Sequence, residues 1–430
     1  MKSTKHRLAK KAIIIGLLLS SPLYAHAQVN DGAKIKDVNS LADWLVDGSV
    51  SGYERTNYYS TKNNFYTKGQ NQETVSYGGG LLYSTARLYG FSVGIGGYLQ
   101  RGIAHSNDPN RVDSYIGPNL ANIGQAYIRW QHKKFTITGG NQEINVPFAS
   151  GFDWRIVPEL YQGITTKYGD KNNFLSALWI NSYKSYTSNS FTKYTNYNAN
   201  FDSYGHAGMH KTSGFSGVGG QKELVLNPIT LTGQAWYFQY NNYAKLTYLE
   251  GEIIDNKMSW QPFSGVQVFH ETGDGESLAG HVDSQTYGSI IGVKHHSLVA
   301  SFGYDYIVPH HNAYLNGVLV TPYAHHVSSG PFYAQPFLSS TQDLGAGSAY
   351  AINIKTSPYL GVIVGGRYSF MDLKSNFKKP SINQSEYMVF AKYEFSGRLS
   401  GFNISNSFAV QSQPGRPGFV QNRFQIGYVF

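Results

Sequence analysis

Apolar and polar side chains alternate along most of this chain, and a period of two residues is the pattern of a β-strand. The last segment, residues 421–430, shows it clearly, because apolar side chains occupy every second position there: Phe424, Ile426, Tyr428 and Phe430. Successive side chains of a strand point to opposite faces, so such a segment has one apolar and one polar face. About ten residues suffice to cross a bilayer at a tilt, and the pattern therefore predicts membrane-spanning strands.

Alternating segments recur through the chain, and the connections between them are alternately long and short. The clearest segments are 44–55, 74–87, 91–101, 121–131, 134–142, 160–168, 173–183, 231–241, 244–252, 259–271, 282–293, 298–308, 348–355, 359–371, 386–395 and 402–411. A membrane tolerates no unpaired sheet edge, and outer-membrane barrels have long external loops and short periplasmic turns. The fold predicted is all-β, a transmembrane antiparallel up-and-down β-barrel of about 18 strands. Residues 203–221 are too weakly patterned to place, and residues 309–345 are predicted to form one large external loop.

The N-terminus has the features of a cleaved export signal. Five basic residues precede the apolar run Ala12–Leu19, and the sequence Ala25-His26-Ala27 fits a cleavage site. A run of eight residues is too short for a membrane-spanning helix, which needs roughly 20. We therefore expect residues 1–27 to be a signal peptide and residues 28–430 to be a single barrel domain. The final strand, which ends in Phe430, also resembles the terminal strand of bacterial outer-membrane barrels, where it is the signal for the assembly machinery.

Composition supports a barrel and excludes several other classes. The chain has 34 Tyr, 24 Phe and 47 Gly but only 14% charged residues, which suits aromatic-belted strands joined by tight turns. The absence of Cys excludes a disulfide framework. A mean hydropathy of −0.33 is expected when an apolar outer wall is averaged with a polar lumen. The net charge of +9 falls to +4 without the signal peptide, so we expect no nucleic-acid partner.

If the apolar set of each strand faces lipid, several charged side chains must face the interior. They are Arg129, Asp305, Lys355, Arg367 and Arg423. Cations in a water-filled bore would concentrate anions and guide a carboxylate, and Arg can hold such a group in a bidentate way. The alternative is that these charges neutralise one another across the lumen.

The third long connection, residues 143–159, is unusually apolar for an external loop. It contains two stiffening prolines, Pro147 and Pro158, and it places Asp153 and Arg155 two residues apart. An apolar, rigid loop must bury itself, and the inside of the barrel is the available place. We expect an inward-folded constriction loop that presents Asp153 or Arg155 to the solute.

The motif of this loop resembles the constriction loop of the OprD-type substrate-specific porins of Gram-negative outer membranes. The matching residues are Asn145, Pro147, Phe148, Asp153, Arg155, Pro158 and Gly163. The run Phe302–Asp305 and the closing strand are similar as well. The resemblance implies an 18-stranded monomeric or loosely trimeric channel in contact with outer-membrane lipid and lipopolysaccharide. It also implies a ladder of basic residues, a narrow eyelet and a preference for small carboxylate-bearing solutes such as amino acids and organic acids.

These features favour passive, substrate-preferring diffusion through the outer membrane, with no enzyme activity, cofactor or metal. A general-diffusion porin is an alternative, and so is an oligosaccharide-preferring porin, because Phe152 and Trp154 would allow sugar stacking. A barrel hydrolase and a soluble exported binding protein are alternatives outside the channel class, but no motif sets a nucleophile beside a base. Three His pairs do not predict a metal site, because adjacent strand residues point to opposite faces: His295–His296, His310–His311 and His325–His326. The acidic cluster around Glu271, Asp274 and Glu276 lacks the spacing of a calcium loop.

Overall fold

The computed structural model describes residues 35–65, 69–151, 155–196, 210–324, 331–375 and 382–430. Eighteen strands form the barrel, and we number them β1 to β18 in chain order. They are β1 Ser49–Lys62, β2 Gln72–Ser84, β3 Phe91–His105, β4 Leu120–His132, β5 Phe135–Gln142, β6 Leu160–Gly169, β7 Phe174–Lys184, β8 Phe215–Leu226, β9 Ile229–Tyr240, β10 Ala244–Asp255, β11 Gln261–Gly273, β12 Asp283–His295, β13 Leu298–Ile307, β14 Gly347–Thr356, β15 Val362–Leu373, β16 Gln384–Glu394, β17 Phe402–Ser412 and β18 Phe419–Val429. The predicted signal peptide lies outside the described residues.

The barrel is closed by pairing of its first and last strands. Strands β1 and β18 are antiparallel, with Tyr53 opposite Val429 at one end and Lys62 opposite Val420 at the other. Each remaining strand pairs in antiparallel fashion with its neighbours in sequence. Closure leaves no unpaired edge, which is the condition for a sheet in lipid. The predicted all-β barrel of about 18 strands is therefore confirmed.

Exposure alternates along the strands as the sequence pattern requires. On β4, Ile128 is exposed and Tyr127 is buried, and on β15 Tyr368 is exposed between buried Arg367 and Ser369. The outer wall is therefore apolar and the inner wall carries the polar side chains. Turns of two to seven residues join the strands at one end, and longer loops join most of them at the other. The short-turn end corresponds to the periplasmic side of outer-membrane barrels.

The N-terminal part of the structure differs from the expectation of a strand at 44–55. Helix α1, Leu41–Val46, begins after Ser40, whose hydroxyl accepts a hydrogen bond from the Asp43 amide at 3.1 Å. The Trp44 indole donates to the Phe91 carbonyl at 3.1 Å, which fastens the helix to β3. An N-cap serine and this contact outweigh the alternating pattern. Strand β1 consequently starts at Ser49 and continues to Lys62, through residues predicted to be loop.

The other helical segments are short. A second helix, α2, spans Thr341–Leu344, and 3₁₀ turns occur at Pro109–Arg111, Tyr314–Asn316 and Gly397–Leu399. No helix in the described ranges has the length and apolarity needed to cross a bilayer. Residues 203–221, which the sequence left unplaced, overlap strand β8, whose first residue is Phe215.

The largest apolar cluster of the described residues joins inner-wall residues with loop residues. Aromatic side chains of β6 to β11 form the wall part, including Phe238, Tyr248 and Phe269. Loop residues 318–320, Tyr323 and Phe332 belong to the same cluster. Residues 308–346 join β13 to β14 at the long-loop end, as expected for residues 309–345, but much of the described part is buried against the inner wall. A packed apolar core therefore fills part of the barrel interior, and residues of two loops, 143–159 and 308–346, contribute side chains to it.

Candidate functional site

The third loop contains a small hairpin that explains the Asn-x-Pro-Phe motif. Asn145–Val146 pairs with Ala149–Ser150, and Pro147 and Phe148 form the turn between them. Phe148 has a φ of 62°, and a proline followed by a positive φ is the arrangement of a type II turn. Such a φ is unfavourable for a bulky residue. The Phe148 ring offsets this by edge-on packing at 5.6–6.0 Å against three inner-wall rings, those of Phe238, Tyr248 and Phe269.

Pro158 lies at the end of the same loop, and Gly163 lies in β6 just after it. A side chain at Gly163 would collide with the Trp179 carbonyl of the neighbouring strand, at a point where the pairing of β6 and β7 shifts by one residue. The Gln142 side chain donates to the Gly163 carbonyl at 3.1 Å. Pro158 is buried, whereas Asn145 is exposed. Glycine is thus required at position 163 by close backbone approach.

Arg155 is enclosed by aromatic rings. Its guanidinium lies 4.1 Å from the ring centre of Tyr115 and 5.6 Å from those of Tyr59 and Tyr186, and the residue is only 2% exposed. These rings come from the inner wall of β1 and from two other loops. Burial alone would lower the pKa of Arg155, but its tyrosine neighbours and Asp113 raise the pKa above the ordinary value. The side chain therefore stays charged and joins three loops to the wall.

Residues next to Arg155 contact the inner face of the first strands. The Tyr53 hydroxyl donates to the Ile156 carbonyl at 2.7 Å, and the Arg55 guanidinium donates to the Arg155 carbonyl at 2.7 Å. Ile156 and Val157 join an apolar cluster with inner-wall residues Tyr53, Leu82, Tyr98 and Tyr127. Asp153, predicted beside Arg155, lies outside the described residues.

Glu159 is a buried carboxyl group at the end of the loop. Its Oε1 accepts a hydrogen bond from the Tyr183 hydroxyl at 2.5 Å, and the residue has no solvent exposure. Burial raises the pKa of Glu159 to about 8, although Tyr183, Lys184 and Arg155 oppose the shift. The neutral acid is thus the form that this site accommodates at neutral pH.

We expect Glu159→Gln to remove a pH dependence of stability. Because the pKa rises from 4.5 to about 8 on folding, the neutral acid stabilises the fold below pH 4.5 and this contribution is lost as the pH rises to 8. The loss amounts to something on the order of 4 kcal/mol. Urea unfolding in micelles at pH 5 and pH 8.5 should show the wild type losing more stability than Glu159→Gln. The exposed control Glu276→Gln should behave like the wild type, and parallel pH curves for wild type and Glu159→Gln would contradict the assignment.

The long loop between β13 and β14 is held by carboxylates of the inner wall. Glu271 accepts the Val320 amide at 2.6 Å, Asp305 accepts the Ala334 amide at 2.6 Å, and Glu386 accepts the Leu338 amide at 2.8 Å. Glu386 also accepts the Phe337 amide, and the Gln267 side chain donates to Asp305 at 2.7 Å. Hydrogen bonds to charged acceptors are the strong kind. Asp305, predicted to line the path, therefore binds the backbone of this loop.

Two of the predicted cations contact the same loop. Arg367 donates to the Gln335 carbonyl and to the Asn353 side chain. Arg423 donates to the Gln421 side chain at 2.6 Å, and its guanidinium lies 4.7 Å from the ring centre of Phe337. Both side chains are on the inner wall and nearly buried. The sequence predicts their face but not the loop that covers them.

Lys355 and Arg129 are more accessible and lie nearer the short-turn end. Arg129 is partly buried, donates to the Thr138 hydroxyl at 3.1 Å and lies over the Tyr127 ring. Lys355 is also partly buried, on the same face of β14 as buried Asn353. Lys392 on β16 pairs with Glu394 at 2.7 Å. Within the described part of the chain, the Lys355 ammonium has no hydrogen-bond or ion-pair partner.

The residues that sequence reasoning missed are two loop acceptors, Glu271, which binds Val320, and Glu386, which binds segment 331–340. The signal was present, because the run Pro331 to Leu338 is apolar and contains two prolines, like the third loop. Of the histidine pairs, His310 binds Asp283 at 2.9 Å, and His325–His326 falls outside the described residues. No group of three His, Asp or Glu suited to a metal ion occurs in the described ranges.

Comparison with known proteins gives a family match and a similar fold. The protein-family model described as "outer membrane porin, OprD family" matches residues 102–323, just over half of the chain. The fold is similar to that of Pseudomonas aeruginosa OpdK, solved with vanillate, at 14% identity and a TM-score of 0.71. It is also similar to Acinetobacter baumannii OccAB2, at 17% identity and a TM-score of 0.75, and to a BenF-like porin from Pseudomonas fluorescens Pf-5, at 12% and 0.75. Each of these comparisons covers 90% of this chain and 99% of the other. Curated protein sequences gave no match.

Proposed function

This chain belongs to the OprD family of outer-membrane porins, and we propose that it conducts small carboxylate-bearing solutes through a constriction made by its third and seventh loops, residues 143–159 and 308–346. It resides in the outer membrane of a Gram-negative bacterium. A porin of this class performs no covalent chemistry, and the gradient of the solute drives its flux. We further propose that it acts as a monomer or a loose trimer.

The proposed preference for carboxylates rests on the unpaired ammonium group of Lys355. The ammonium is partly buried on the inner wall, and no described residue neutralises it. A cation in a narrow site with low-dielectric walls attracts anions strongly. Lys392 lies two strands away on the same inner wall, but Glu394 pairs with it at 2.7 Å, so of these two ammonium groups only Lys355 lacks a described partner. A solute carboxylate would supply the missing negative charge.

The charges of the inner wall are unequally distributed. Strands β14 to β18 carry four cations, Lys355, Arg367, Lys392 and Arg423, against two acids, Glu386 and Glu394. Strands β10 to β13 carry the acids Glu250, Glu252, Glu271 and Asp305. Loop amides or wall side chains bind three of these acids, which weakens their repulsion of an anion. An anion would therefore favour the side of the lumen formed by β14 to β18, where cations outnumber acids.

A carboxylate with an aromatic body is a suitable first class of solute to test. The related OpdK was solved with vanillate, an aromatic carboxylate. Vanillate and benzoate are therefore suitable first probes.

We expect Lys355→Gln to weaken the block of ionic current by vanillate by roughly fivefold to tenfold, the effect of losing one partly desolvated charge pair. Single-channel recordings at a series of vanillate concentrations measure the block. The control Lys257→Gln removes an exposed turn lysine and should leave the block unchanged.

Three results would contradict the carboxylate proposal. Current that vanillate does not block in a saturable way would indicate a general-diffusion porin. Saturable block by malto- or chito-oligosaccharides alone would indicate a saccharide channel. Equal block of wild type and Lys355→Gln by vanillate would remove Lys355 from the path.

A further inference from the structure

The outer wall of the barrel contains a groove on strands β6 to β11. It has a volume of about 1070 Å³, and its apolar lining consists mainly of exposed side chains: Tyr168, Leu175, Val218, Tyr237, Leu249 and Val266. These residues belong to the lipid-facing set, so the groove lies on the membrane side and not in the lumen. The groove is a depression, so this part of the outer wall differs in shape from a smooth lipid-facing wall.

Outward-facing small residues form the floor of the groove. Gly233 on β9 is opposite Gly251 on β10, and Gly220 on β8 is opposite Ala235 on β9. A Cβ atom at Gly251 would meet no atom within 4 Å, and one at Gly233 only the Glu250 carbonyl at 3.7 Å. Neither glycine is required by backbone conformation or close packing, since both backbones have ordinary φ values. Their absent side chains leave room for something else.

A lysine stands beside this floor on the outer face, close to the level of the short turn between β6 and β7. Lys222 is opposite Gly233 and exposed on the outer face, and apolar Leu224 and Leu226 follow it on that face. A lysine on the lipid side costs about 2–4 kcal/mol at mid-membrane and less near the surface. No described residue forms an ion pair with Lys222. An unpaired cation in this position calls for an anion from the membrane itself.

The end of the groove is also cationic. Lys134, in the short turn between β4 and β5, lines the groove together with Lys222 and Asp170. The Asp170 carboxylate is engaged within its own turn, where it accepts the amides of Asn172 and Asn173 at 2.9 Å. Two ammonium groups and one carboxylate thus border an apolar channel at its periplasmic end, which leaves this end with a net positive charge.

We propose that this groove binds one glycerophospholipid of the periplasmic leaflet, with an acyl chain over Gly233 and Gly251 and its phosphodiester between Lys222 and Lys134. The combination of an apolar slot and two cations at one end matches the chemistry of an anionic lipid. The lipid would fill the depression and neutralise Lys222. This site is separate from the solute path and does not depend on solute preference.

Native mass spectrometry of the purified barrel tests the proposal. Phosphatidylglycerol should bind in a defined one-to-one complex, and Lys222→Gln should weaken that complex roughly fivefold, as expected for one lysine near a lipid phosphate. Phosphatidylcholine, whose net charge is zero, should bind more weakly and be less sensitive to Lys222→Gln. Gly251→Leu should fill the slot and abolish the complex while channel conductance is unchanged.

Two matched controls separate the site from general lipid contact. Gly97→Leu adds a side chain at an outward glycine of β3 with similar free space, and Lys257→Gln removes an exposed lysine away from the groove. Both should bind phosphatidylglycerol like the wild type. Equal retention of both lipids, unaltered in Lys222→Gln and Gly251→Leu, would overturn the proposal. A homodimer that Gly251→Leu dissociates would overturn it too, because a second copy would then occupy the groove.

Discussion

Arg155→Ala is expected to produce a noisy, less anion-selective channel and a less stable barrel. The guanidinium lies over three tyrosine rings contributed by β1 and by two other loops, so its side chain joins these segments to the third loop. A desolvated cation–π contact contributes about 2 kcal/mol, and removing the whole buried side chain should cost roughly 3–5 kcal/mol. Single-channel recordings measure the current noise and reversal potential, and urea unfolding in micelles measures the stability.

Two variants identify the cause of the Arg155 effect. Arg155→Lys keeps the charge but loses the planar stacking, so it should retain most of the anion selectivity while the noise rises. Arg111→Ala removes an exposed arginine of the neighbouring loop and should change neither property. If Arg155→Ala matches the wild type in noise, selectivity and urea midpoint, Arg155 has no part in the constriction.

Strand alternation predicts which face a side chain occupies but not what covers it. The sequence placed Arg129, Lys355, Arg367 and Arg423 on the inner wall, and the structure has all four there. It did not predict that Arg367 binds the Gln335 carbonyl, because that contact joins segments 32 residues apart through a loop with no period. The face that a side chain occupies is a local property of its strand, whereas the residues that it contacts depend on how the loops fold back into the barrel.

The loops at residues 143–159 and 308–346 show which features of a loop the sequence can and cannot predict. The apolar, proline-stiffened composition of residues 143–159 predicted burial, and Phe148, Ala149 and residues 155–159 are buried; the same argument applies to residues 331–340. Residues 331–340 were not recognised as a separate apolar segment, because the residues around them are polar and rich in histidine. The hairpin turn at Phe148 was also beyond prediction, since a positive φ at phenylalanine is tolerated only because three wall rings receive its side chain.

Glu386→Ala is expected to release the seventh loop and increase the time that the channel spends in a high-conductance state. Glu386 accepts the amides of Phe337 and Leu338, and it also binds the Gln411 side chain. Hydrogen bonds to a charged acceptor contribute about 1.5–3 kcal/mol each, so losing about 3 kcal/mol raises the population of the released loop roughly 100-fold. Dwell times in single-channel recordings measure that population. Asp305→Ala should act in the same direction through Ala334, and the double variant should exceed either single variant.

The direction of the Glu386 effect distinguishes an anchor from a selectivity residue. An acid that only repelled anions would, on removal, raise anion permeability without changing dwell times, whereas an anchor changes the dwell times first. Glu276→Ala, in an exposed loop, controls for loss of negative charge near the same end of the barrel. Unaltered dwell times in both Glu386→Ala and Asp305→Ala would mean that the apolar contacts of Phe332, Phe337 and Leu338 hold the loop without the carboxylates. In that case the constriction would be a fixed part of the core and not a segment held by charge.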